Sequence, residues 1–366
     1  MNRYLSRLGK PWKLGGARLW LLTFLLGLPP ALPGADNYAA SQEVVEGHLT
    51  YHLTDSSRKM NAGVVPDMGN FLYQFKVDGK DAVIPPDSFR SYLERHWFCC
   101  GIPFLEPWAN RIDHDYYYFL GNKYLLNDSL GNLLRLPDTK LVLHGLLVFD
   151  RRWKVIRSGA SASEGAFITS RMEFYRYPDL MAQFPFAHFI DMTYRLKDGR
   201  LENTTEIHAD TAMPVDFGYH PYFRPDGPRE EWTVSIGART HWLTDKQLIP
   251  TGATEPAQKF LPHPEDFKLG KTFIDDPFSG LVRDSHGLGH YWVKGQREKI
   301  ELVFGSEYTF GHVYAPLDNT LICLEPETAV TDAFNLNHEG KFPQLPVLEA
   351  GQVFKASFWI VPAGFN

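Results

Sequence analysis

Short apolar runs separated by turn residues are the dominant pattern of this chain. Runs of β-branched and aromatic residues recur roughly every 8–15 residues, and the 3.6-residue period of an amphipathic helix is scarce. Residues 193–196 and 201–207 flank the dipeptide Asp198-Gly199, which is typical of a two-residue β-hairpin turn. The runs at residues 299–304 and 354–361 have the same character. This pattern predicts antiparallel sheets packed face to face and therefore an all-β protein.

Two stretches depart from the strand pattern. Residues 88–96 predict a short helix, and residues 258–270 predict a loop. No internal repeat, low-complexity tract or Ser/Gly linker divides residues 40–366. We therefore predict a single extended β-sandwich domain over residues 40–366.

The first 35 residues have a different character. They contain five cations and no acid, followed by an apolar run at residues 19–28 and a stretch rich in Pro, Ala and Gly. This order predicts a secretory signal peptide at residues 1–35, and hence a periplasmic or secreted protein. The apolar run is shorter than the about 20 residues that a spanning helix needs. Since Pro33 disturbs the expected cleavage site, an uncleaved membrane anchor and a buried N-terminal segment remain alternatives.

Charge and composition narrow the class of partner. The net charge of -6 includes the five N-terminal cations, so the remainder carries -6 - 5 = -11. An acidic chain without a basic cluster is not expected to bind nucleic acid. Hydrophobic residues at 44% and aromatic residues at 14% are enough for a large core. Beyond the N-terminal segment no run is long enough to predict a membrane span.

The three cysteines do not predict a disulfide framework. Cys99 and Cys100 are adjacent, and a bond between neighbours would be strained, so either of them could instead pair with Cys323. We expect three small buried side chains. No Cys-x-x-Cys or His-x-x-x-His spacing occurs, so the sequence predicts no metal site.

Two titratable residues stand out by their local context. Glu325 follows the apolar residues 321–324 and precedes Pro326, so it is expected at the end of a strand. His220 lies within the aromatic residues 217–223 and precedes Pro221. A carboxylate suits a general base and an imidazole suits a general acid. Glu327 is an alternative base, because residues two apart on a strand share a face.

A second group of residues could hold a polar ligand. Arg111 follows Asn110, and its guanidinium suits vicinal hydroxyls. His144 lies between an apolar run and Gly145. The adjacent carboxylates Asp275 and Asp276 are alternatives, with Asp276 preferred as a hydroxyl acceptor. Candidate stacking faces for an apolar ligand surface are Trp108, Tyr222 and Phe278. The remaining histidines have no comparable context and are expected to be surface or core residues.

These residue types suit the opening of a cyclic sugar. A base removes the proton of the anomeric hydroxyl while an acid protonates the ring oxygen, and reclosure of the free aldehyde gives the other anomer. Each step moves one proton, so neither a cofactor nor a metal is expected. We expect the carboxylate of Glu325 and the imidazole of His220 to face each other across one sugar-sized hollow.

Five motifs resemble those of the aldose 1-epimerase (mutarotase) family, in the same order. They are residues 65–70, Pro-x-x-Asn-Arg-Ile at 107–112, His144-Gly145, His-x-Tyr-Phe at 220–223 and Glu325-Pro326. The resemblance runs from about residue 49 to residue 361. It implies an antiparallel β-supersandwich of the galactose mutarotase-like kind, with Glu325 as base and His220 as acid. It further implies that Arg111, His144 and Asp276 bind a small-molecule sugar. We also expect Asn110 and Tyr222 to be substrate-binding residues.

Departures from the family pattern leave the substrate open. Arg224 follows the His-x-Tyr-Phe motif where members acting on galactose usually have Asn, which resembles a more divergent bacterial branch. A hexose-6-phosphate 1-epimerase would need a cationic cluster, for which Arg111, Arg224 and Arg229 are available. A non-catalytic periplasmic carbohydrate-binding protein is the other main alternative, and a polysaccharide-cleaving enzyme would need a second paired carboxylate. We expect a monomer or a homodimer.

Overall fold

The computed structural model describes residues 37–95, 99–317 and 320–365. Every described residue belongs to one compact unit, Pro33–Asn366. The predicted signal peptide at residues 1–35 lies outside the described residues. Among the residues described, none of the helices has the length and apolar character needed to cross a membrane.

Strands are the dominant regular secondary structure of the described residues. The first thirteen are β1 Tyr38–Val45, β2 His48–Asp55, β3 Met60–Val65, β4 Phe71–Val77, β5 Lys80–Val83, β6 Phe104–Leu105, β7 Arg111–Ile112, β8 Tyr116–Phe119, β9 Asn122–Leu125, β10 Val142–Leu143, β11 Lys154–Ser161, β12 Gly165–Met172 and β13 His188–Lys197. The next are β14 Arg200–Ala209, β15 Met213–Pro214, β16 Gly218–Tyr219, β17 Tyr222–Phe223, β18 Thr233–Ile236, β19 Ala238–Thr244, β20 Pro250–Pro256 and β21 Phe267–Lys268. The last are β22 Ile274–Leu281, β23 Gly289–Lys294, β24 Lys299–Phe304, β25 Phe310–Ala315, β26 Ile322–Glu327, β27 Val347–Leu348 and β28 Val353–Ala363. The α-helices are short: α1 Phe89–Arg95, α2 Pro178–Gln183, α3 Ala257–Phe260 and α4 Ala333–His338.

Three larger sheets organise these strands. The first contains β1 to β5 in chain order. A nine-stranded sheet has the order β11-β12-β13-β14-β28-β24-β23-β18-β21. An eight-stranded sheet has the order β20-β19-β22-β25-β26-β16-β6, with β17 also paired to β26. Because the strands within these sheets pair antiparallel, the prediction of an all-β protein built from antiparallel sheets is confirmed.

The local predictions are partly confirmed. The hairpin is present as β13 and β14, and Asp198 and Gly199 both adopt positive φ at its turn, as a type I′ turn requires. The predicted helix at residues 88–96 is present as α1. The prediction of a loop at residues 258–270 is wrong in part, since α3 covers its beginning and β21 lies within it. Both elements are so short that no periodicity could reveal them.

The main core draws on all three larger sheets, and the nine-stranded and eight-stranded sheets pack against each other within it. Alternate residues of β13 are buried, as expected for a strand with one face on a core. The Tyr219 ring of β16 packs 4.9 Å from the Phe358 ring of β28. A side chain at Gly311 of β25 would collide with the Tyr291 ring of β23, so glycine allows the sheets to approach here. Each large apolar side chain buried in this way contributes about 1.5–3 kcal/mol to the stability of the sandwich.

The cysteines differ in part from the expectation. Cys99 and Cys100 are joined to each other in a disulfide, and Cys323 is a free, buried thiol. The pairing of either neighbour with Cys323 is therefore wrong. Cys100 and Cys323 nevertheless belong to one small apolar cluster, together with Tyr222, Ile84 and Leu321.

Candidate active site

Strand β26 carries the predicted base into the middle of the eight-stranded sheet. In its register with β25, Glu325 lies opposite His312, and Cys323 lies opposite Tyr314. Because side chains alternate along a strand, Cys323, Glu325 and Glu327 share one face of β26. The other face, with Ile322 and Leu324, belongs to the core. The sheet thus brings titratable groups of two neighbouring strands together on one side.

His220 lies in the short link between β16 and β17, both of which pair with β26. Its Nε2 atom is 3.4 Å from Oε1 of Glu325. The Tyr222 ring stacks on the His220 ring at 4.6 Å, and the His144 ring meets it edge-on at 5.4 Å. The structure therefore brings together His220 and Glu325, which the sequence analysis selected from segments far apart in the chain.

This contact differs from the expected arrangement across a sugar-sized hollow. His220 is 5% exposed and Glu325 is 1% exposed, and their reacting atoms are too close for a sugar ring to lie between them. A sugar must instead approach the pair from one side. Arg111 and Asp275, whose side chains are each 10% exposed, and the half-buried Tyr314 are the most accessible neighbours. They define the direction from which we expect a ligand to enter.

Two residues with left-handed backbone conformations fix the loops that border the site. Asn110 and His144 have φ of 58° and 57°, and the N–H of His144 donates to the carbonyl of Asn110 at 2.7 Å. The N–H of Asn110 donates in return to Nδ1 of His144 at 3.2 Å. Because Nδ1 accepts, the ring proton of neutral His144 is on Nε2. These paired bonds fix the orientation of the imidazole.

Arg111 is held by a buried network. Its guanidinium donates to Oδ1 of Asn110 at 2.8 Å and to Oδ2 of Asp275 at 2.9 Å. His312 lies 2.9 Å from the other oxygen of Asp275 through Nε2, and its Nδ1 lies 3.2 Å from the amide nitrogen of Asn110. The buried Nε of Arg111 has no hydrogen-bond partner among the described residues. A buried donor of this kind is costly unless a ligand or water accepts its proton.

The preference for Asp276 over Asp275 is not supported by the structure. Asp275 lies opposite Tyr314 in the register of β22 with β25, whereas Asp276 lies opposite Val313 and so points to the other face. There Oδ1 of Asp276 is 3.0 Å from Nε2 of His241, which also contacts Glu255. A one-residue difference reverses the face of a strand residue, and sequence alone did not fix that register.

Two of the three candidate stacking faces belong to the core. Trp108 and Phe278 are fully buried in the main hydrophobic cluster, with Trp108 near Tyr117 and Phe278 near His241. Tyr222 is nearly buried but covers His220 directly. Sequence reasoning did not consider Tyr314, which reaches the site through its register position and has no distinctive flanking motif.

Burial and charge shift the pKa values of the carboxyl groups in opposite directions. Burial, reinforced by the neighbouring carboxylates Glu327 and Asp275, raises the pKa of Glu325 well above its ordinary value. Burial likewise raises the pKa of Glu327, with a further contribution from Asp216. Burial alone would also raise the pKa of Asp275, but its hydrogen bond with His312 and the charge of Arg111 hold it below the usual range. Asp275 is therefore the permanent anion of the group.

The imidazoles are held neutral. Burial lowers the pKa of His220 to about 3, with a further contribution from His312. Burial also lowers the pKa of His144 well below its ordinary value, and the charges of His220 and Arg111 add to the effect. Burial thus favours the neutral forms of both His220 and Glu325. Perturbed titratable groups in contact with one another are typical of functional sites.

His312 is the main residue that sequence reasoning missed. It was grouped with the histidines expected to be structural, yet it bridges Asn110 and Asp275 and lies opposite Glu325. One signal in the sequence points to it: His312 is a polar residue within an apolar, strand-like run that immediately precedes the strand carrying the Glu325-Pro326 motif. Arg224 and Arg229 do not join the group. Arg224 donates to the carbonyl of Thr320, and buried Arg229 donates to the carbonyls of Gly270, Thr272 and Ala315.

Known proteins resemble this chain both in sequence and in structure. Residues 51–360 match the family described as aldose 1-epimerase. A galactose mutarotase-like protein from Clostridium acetobutylicum has a similar structure, with a TM-score of 0.76 and 17% sequence identity over 90% of this chain and 99% of that one. A Synechocystis protein matches with a TM-score of 0.65 and 22% identity over 88% and 98% of the two chains. An aldose epimerase homologue from C. elegans matches with a TM-score of 0.67 and 18% identity over 84% and 96%. The predicted mutarotase-like supersandwich fold is thereby confirmed.

Proposed function

Because this chain belongs to the aldose 1-epimerase family, we propose that it interconverts the α and β anomers of an aldose by opening and reclosing the sugar ring. The observation that carries the proposal is the 3.4 Å separation between Nε2 of His220 and Oε1 of Glu325. The anomeric hydroxyl and the ring oxygen are bonded to the same carbon, so the acid and base that serve them must also be neighbours. A base and an acid in contact meet that requirement.

Each proton movement has a group to perform it. Glu325 accepts the proton of the anomeric hydroxyl, and His220 delivers a proton to the ring oxygen as its bond to carbon breaks. The reverse steps on the rotated aldehyde give the other anomer. The pair of neutral imidazole and protonated carboxyl, which burial favours, holds the same number of protons as the active pair of imidazolium and carboxylate. An internal transfer therefore converts one form into the other without exchange with solvent.

The surrounding network suits recognition of neutral sugar hydroxyls. The Nε of Arg111 is a buried donor, and the Asp275 carboxylate is a fixed acceptor beside it. Carboxylate and guanidinium groups that are already paired keep the orientation that adjacent hydroxyls need. A phosphorylated sugar is a weaker candidate, because Arg111 is neutralised by Asp275 and Arg229 is occupied by backbone carbonyls. We therefore propose an unphosphorylated aldose.

The proposal is tested by polarimetry on freshly dissolved aldoses. We expect the protein to accelerate the approach to anomeric equilibrium for at least one common aldose. In parallel, calorimetry measures sugar binding. Sugar binding without any acceleration would favour the non-catalytic carbohydrate-binding alternative, and neither binding nor acceleration across the panel would contradict the proposal.

We also propose that residues 1–35 export the protein. The support is the order of five cations, an apolar run and a Pro/Ala/Gly-rich stretch. Mass spectrometry of the protein recovered from a Gram-negative periplasm gives its N-terminus. An N-terminus near residue 36 is expected, whereas an intact chain in the membrane fraction would indicate an uncleaved anchor instead.

A further inference from the structure

The proposed acid, the proposed base and a neighbouring cysteine form a compact group of side chains of the kinds that bind metal ions. His220, Cys323 and Glu325 each offer one ligand atom, and these atoms lie within 4.8 Å of one another. All three residues are buried. No sequence spacing predicts the group, because His220 comes from a distant segment and the alternation of β26 brings Cys323 and Glu325 to the same face.

Two of these side chains have ligand atoms that the described protein does not use. Both carboxylate oxygens of Glu325 are buried without a hydrogen-bond partner among the described residues. Cys323 is a free thiol, since the other two cysteines of the sequence are bonded to each other. Buried polar atoms normally find partners, so an unsatisfied buried carboxyl beside a free thiol points to a missing ligand.

The distances fit a small tetrahedral ion. Zinc bonds of roughly 2.0–2.1 Å to nitrogen and oxygen place two such ligands about 3.4 Å apart at the tetrahedral angle. The Nε2 atom of His220 and Oε1 of Glu325 are 3.4 Å apart. With a Zn–S bond of roughly 2.3 Å, sulfur is expected about 3.6 Å from the other ligands. The Cys323 sulfur lies within 4.8 Å of the others, so it needs to move by at most about 1.2 Å.

The ligand set can balance the charge of a dication. Ionisation of Glu325 and Cys323 supplies the negative charge that a bound dication needs, since Asp275 is already paired with Arg111.

We propose that His220, Cys323 and Glu325 bind Zn²⁺, or another divalent cation that accepts thiolate and imidazole ligands, in a three-ligand site with an open fourth position. Such a mixed set of nitrogen, sulfur and oxygen ligands suits this class of ion. The thiol proton of Cys323 and the carboxyl proton of Glu325 pass to solvent as these two side chains bind the ion. The metal occupies the lone pairs that the proposed proton transfer needs, so it inhibits the enzyme. This last point rests on the proposed function, whereas the metal site itself does not.

Titration with Co²⁺ tests the site without any assay of catalysis. In reductant-free buffer, which keeps the Cys99–Cys100 bond, one equivalent of Co²⁺ is expected to produce a thiolate-to-cobalt charge-transfer band and the visible bands of a tetrahedral ion. Cys323→Ser should abolish the charge-transfer band. His241→Gln is the matched control, since it alters another buried histidine with two carboxylate neighbours. It should leave both sets of bands unchanged.

Inhibition of mutarotation provides the second test. Cys323 takes no part in the proposed proton transfer, so Cys323→Ser should keep the basal rate. Mutation of residues that merely support a metal ligand costs about 10–100-fold in affinity, so loss of a direct ligand should raise the half-inhibiting Zn²⁺ concentration by at least about 100-fold. EDTA should restore the wild-type rate after Zn²⁺ addition.

The outcomes separate the metal site from the proposed enzyme activity. Absence of the charge-transfer band, or its persistence in Cys323→Ser, would overturn the metal site. Equal Zn²⁺ inhibition of the wild type and Cys323→Ser would overturn it as well. If the protein catalysed no mutarotation but gave the Cys323-dependent band, the metal site would stand and the proposed function would fail.

Discussion

Asp275 and Asp276 are adjacent in the chain, yet their carboxylates serve different parts of the molecule. Asp275 accepts a hydrogen bond from Arg111 at 2.9 Å, whereas Asp276 lies 3.0 Å from His241. The alternation of β22 separates them onto opposite faces of the eight-stranded sheet. The same alternation gathers the site residues on the face shared by β25 and β26.

This separation predicts different effects of two conservative substitutions. Asp275→Asn removes the charge that orients Arg111, and a small misplacement of a binding group can cost about 100-fold in kcat/KM. We expect a loss of about that size in polarimetric mutarotation. Asp276→Asn is the matched control and should keep kcat/KM within about twofold, since its side chain contacts His241 and the backbone N–H of Asp275 but not Arg111. Equal losses in both variants would show that Arg111 is not oriented by Asp275.

The lowered pKa of His220 predicts that activity changes little at mildly acidic pH. Burial lowers the pKa of His220 to about 3, so this imidazole takes up a proton only near that pH, and burial also favours the protonated form of Glu325. In buffer with EDTA, kcat/KM should therefore change by less than about twofold between about pH 5.5 and pH 4. The activity would fall roughly threefold over this range if it depended on a carboxylate of ordinary pKa. A loss of that size in kcat/KM, with circular dichroism showing an intact fold, would contradict the assigned protonation behaviour of His220 and Glu325.

Much of the fold and part of the site followed from the sequence. Apolar runs and turn residues identified the antiparallel sheets, because the two-residue alternation of side chains along a strand is visible within each short segment of the sequence. Glu325 and His220 were recognisable because each lies beside distinctive local motifs. His312 and the choice of Asp275 were not predictable, since both depend on the register between strands. The grouping of Cys323 with His220 depends on distances that no local pattern contains.

The close packing of the turn after His144 predicts that replacement of its glycine destabilises the fold. Gly145 has a φ of 69°, and a Cβ atom there would lie 2.2 Å from the carbonyl oxygen of Glu106. Gly145→Ala should therefore lower the free energy of unfolding by about 2–4 kcal/mol, as measured by urea denaturation. Gly287→Ala is the control, because Gly287 has a φ of 78° and nothing within 4 Å of an added Cβ. It should cost only the strain of the left-handed backbone, about 1 kcal/mol. Equal costs would show that the turn yields to the added methyl group.

The His241 cluster predicts a pH-dependent contribution to stability. Burial alone would lower the pKa of His241, but hydrogen bonds with Asp276 and Glu255 raise it above 6.5. A raised histidine pKa stabilises the fold fully below the unfolded value, and this contribution is lost as the pH rises through the folded value. His241→Gln should thus reduce the unfolding free energy more at about pH 6 than at about pH 9. An effect that is equal at both pH values would contradict the assignment.

The role of Glu325 is tested most directly by optical rotation of a freshly dissolved substrate aldose with the Glu325→Gln variant. The amide nearly keeps the shape of the side chain but cannot accept the anomeric proton, so kcat should fall by at least about 100-fold. Circular dichroism and sugar binding should stay close to those of the wild type. Mutarotation at the wild-type rate in a folded Glu325→Gln variant would contradict the account.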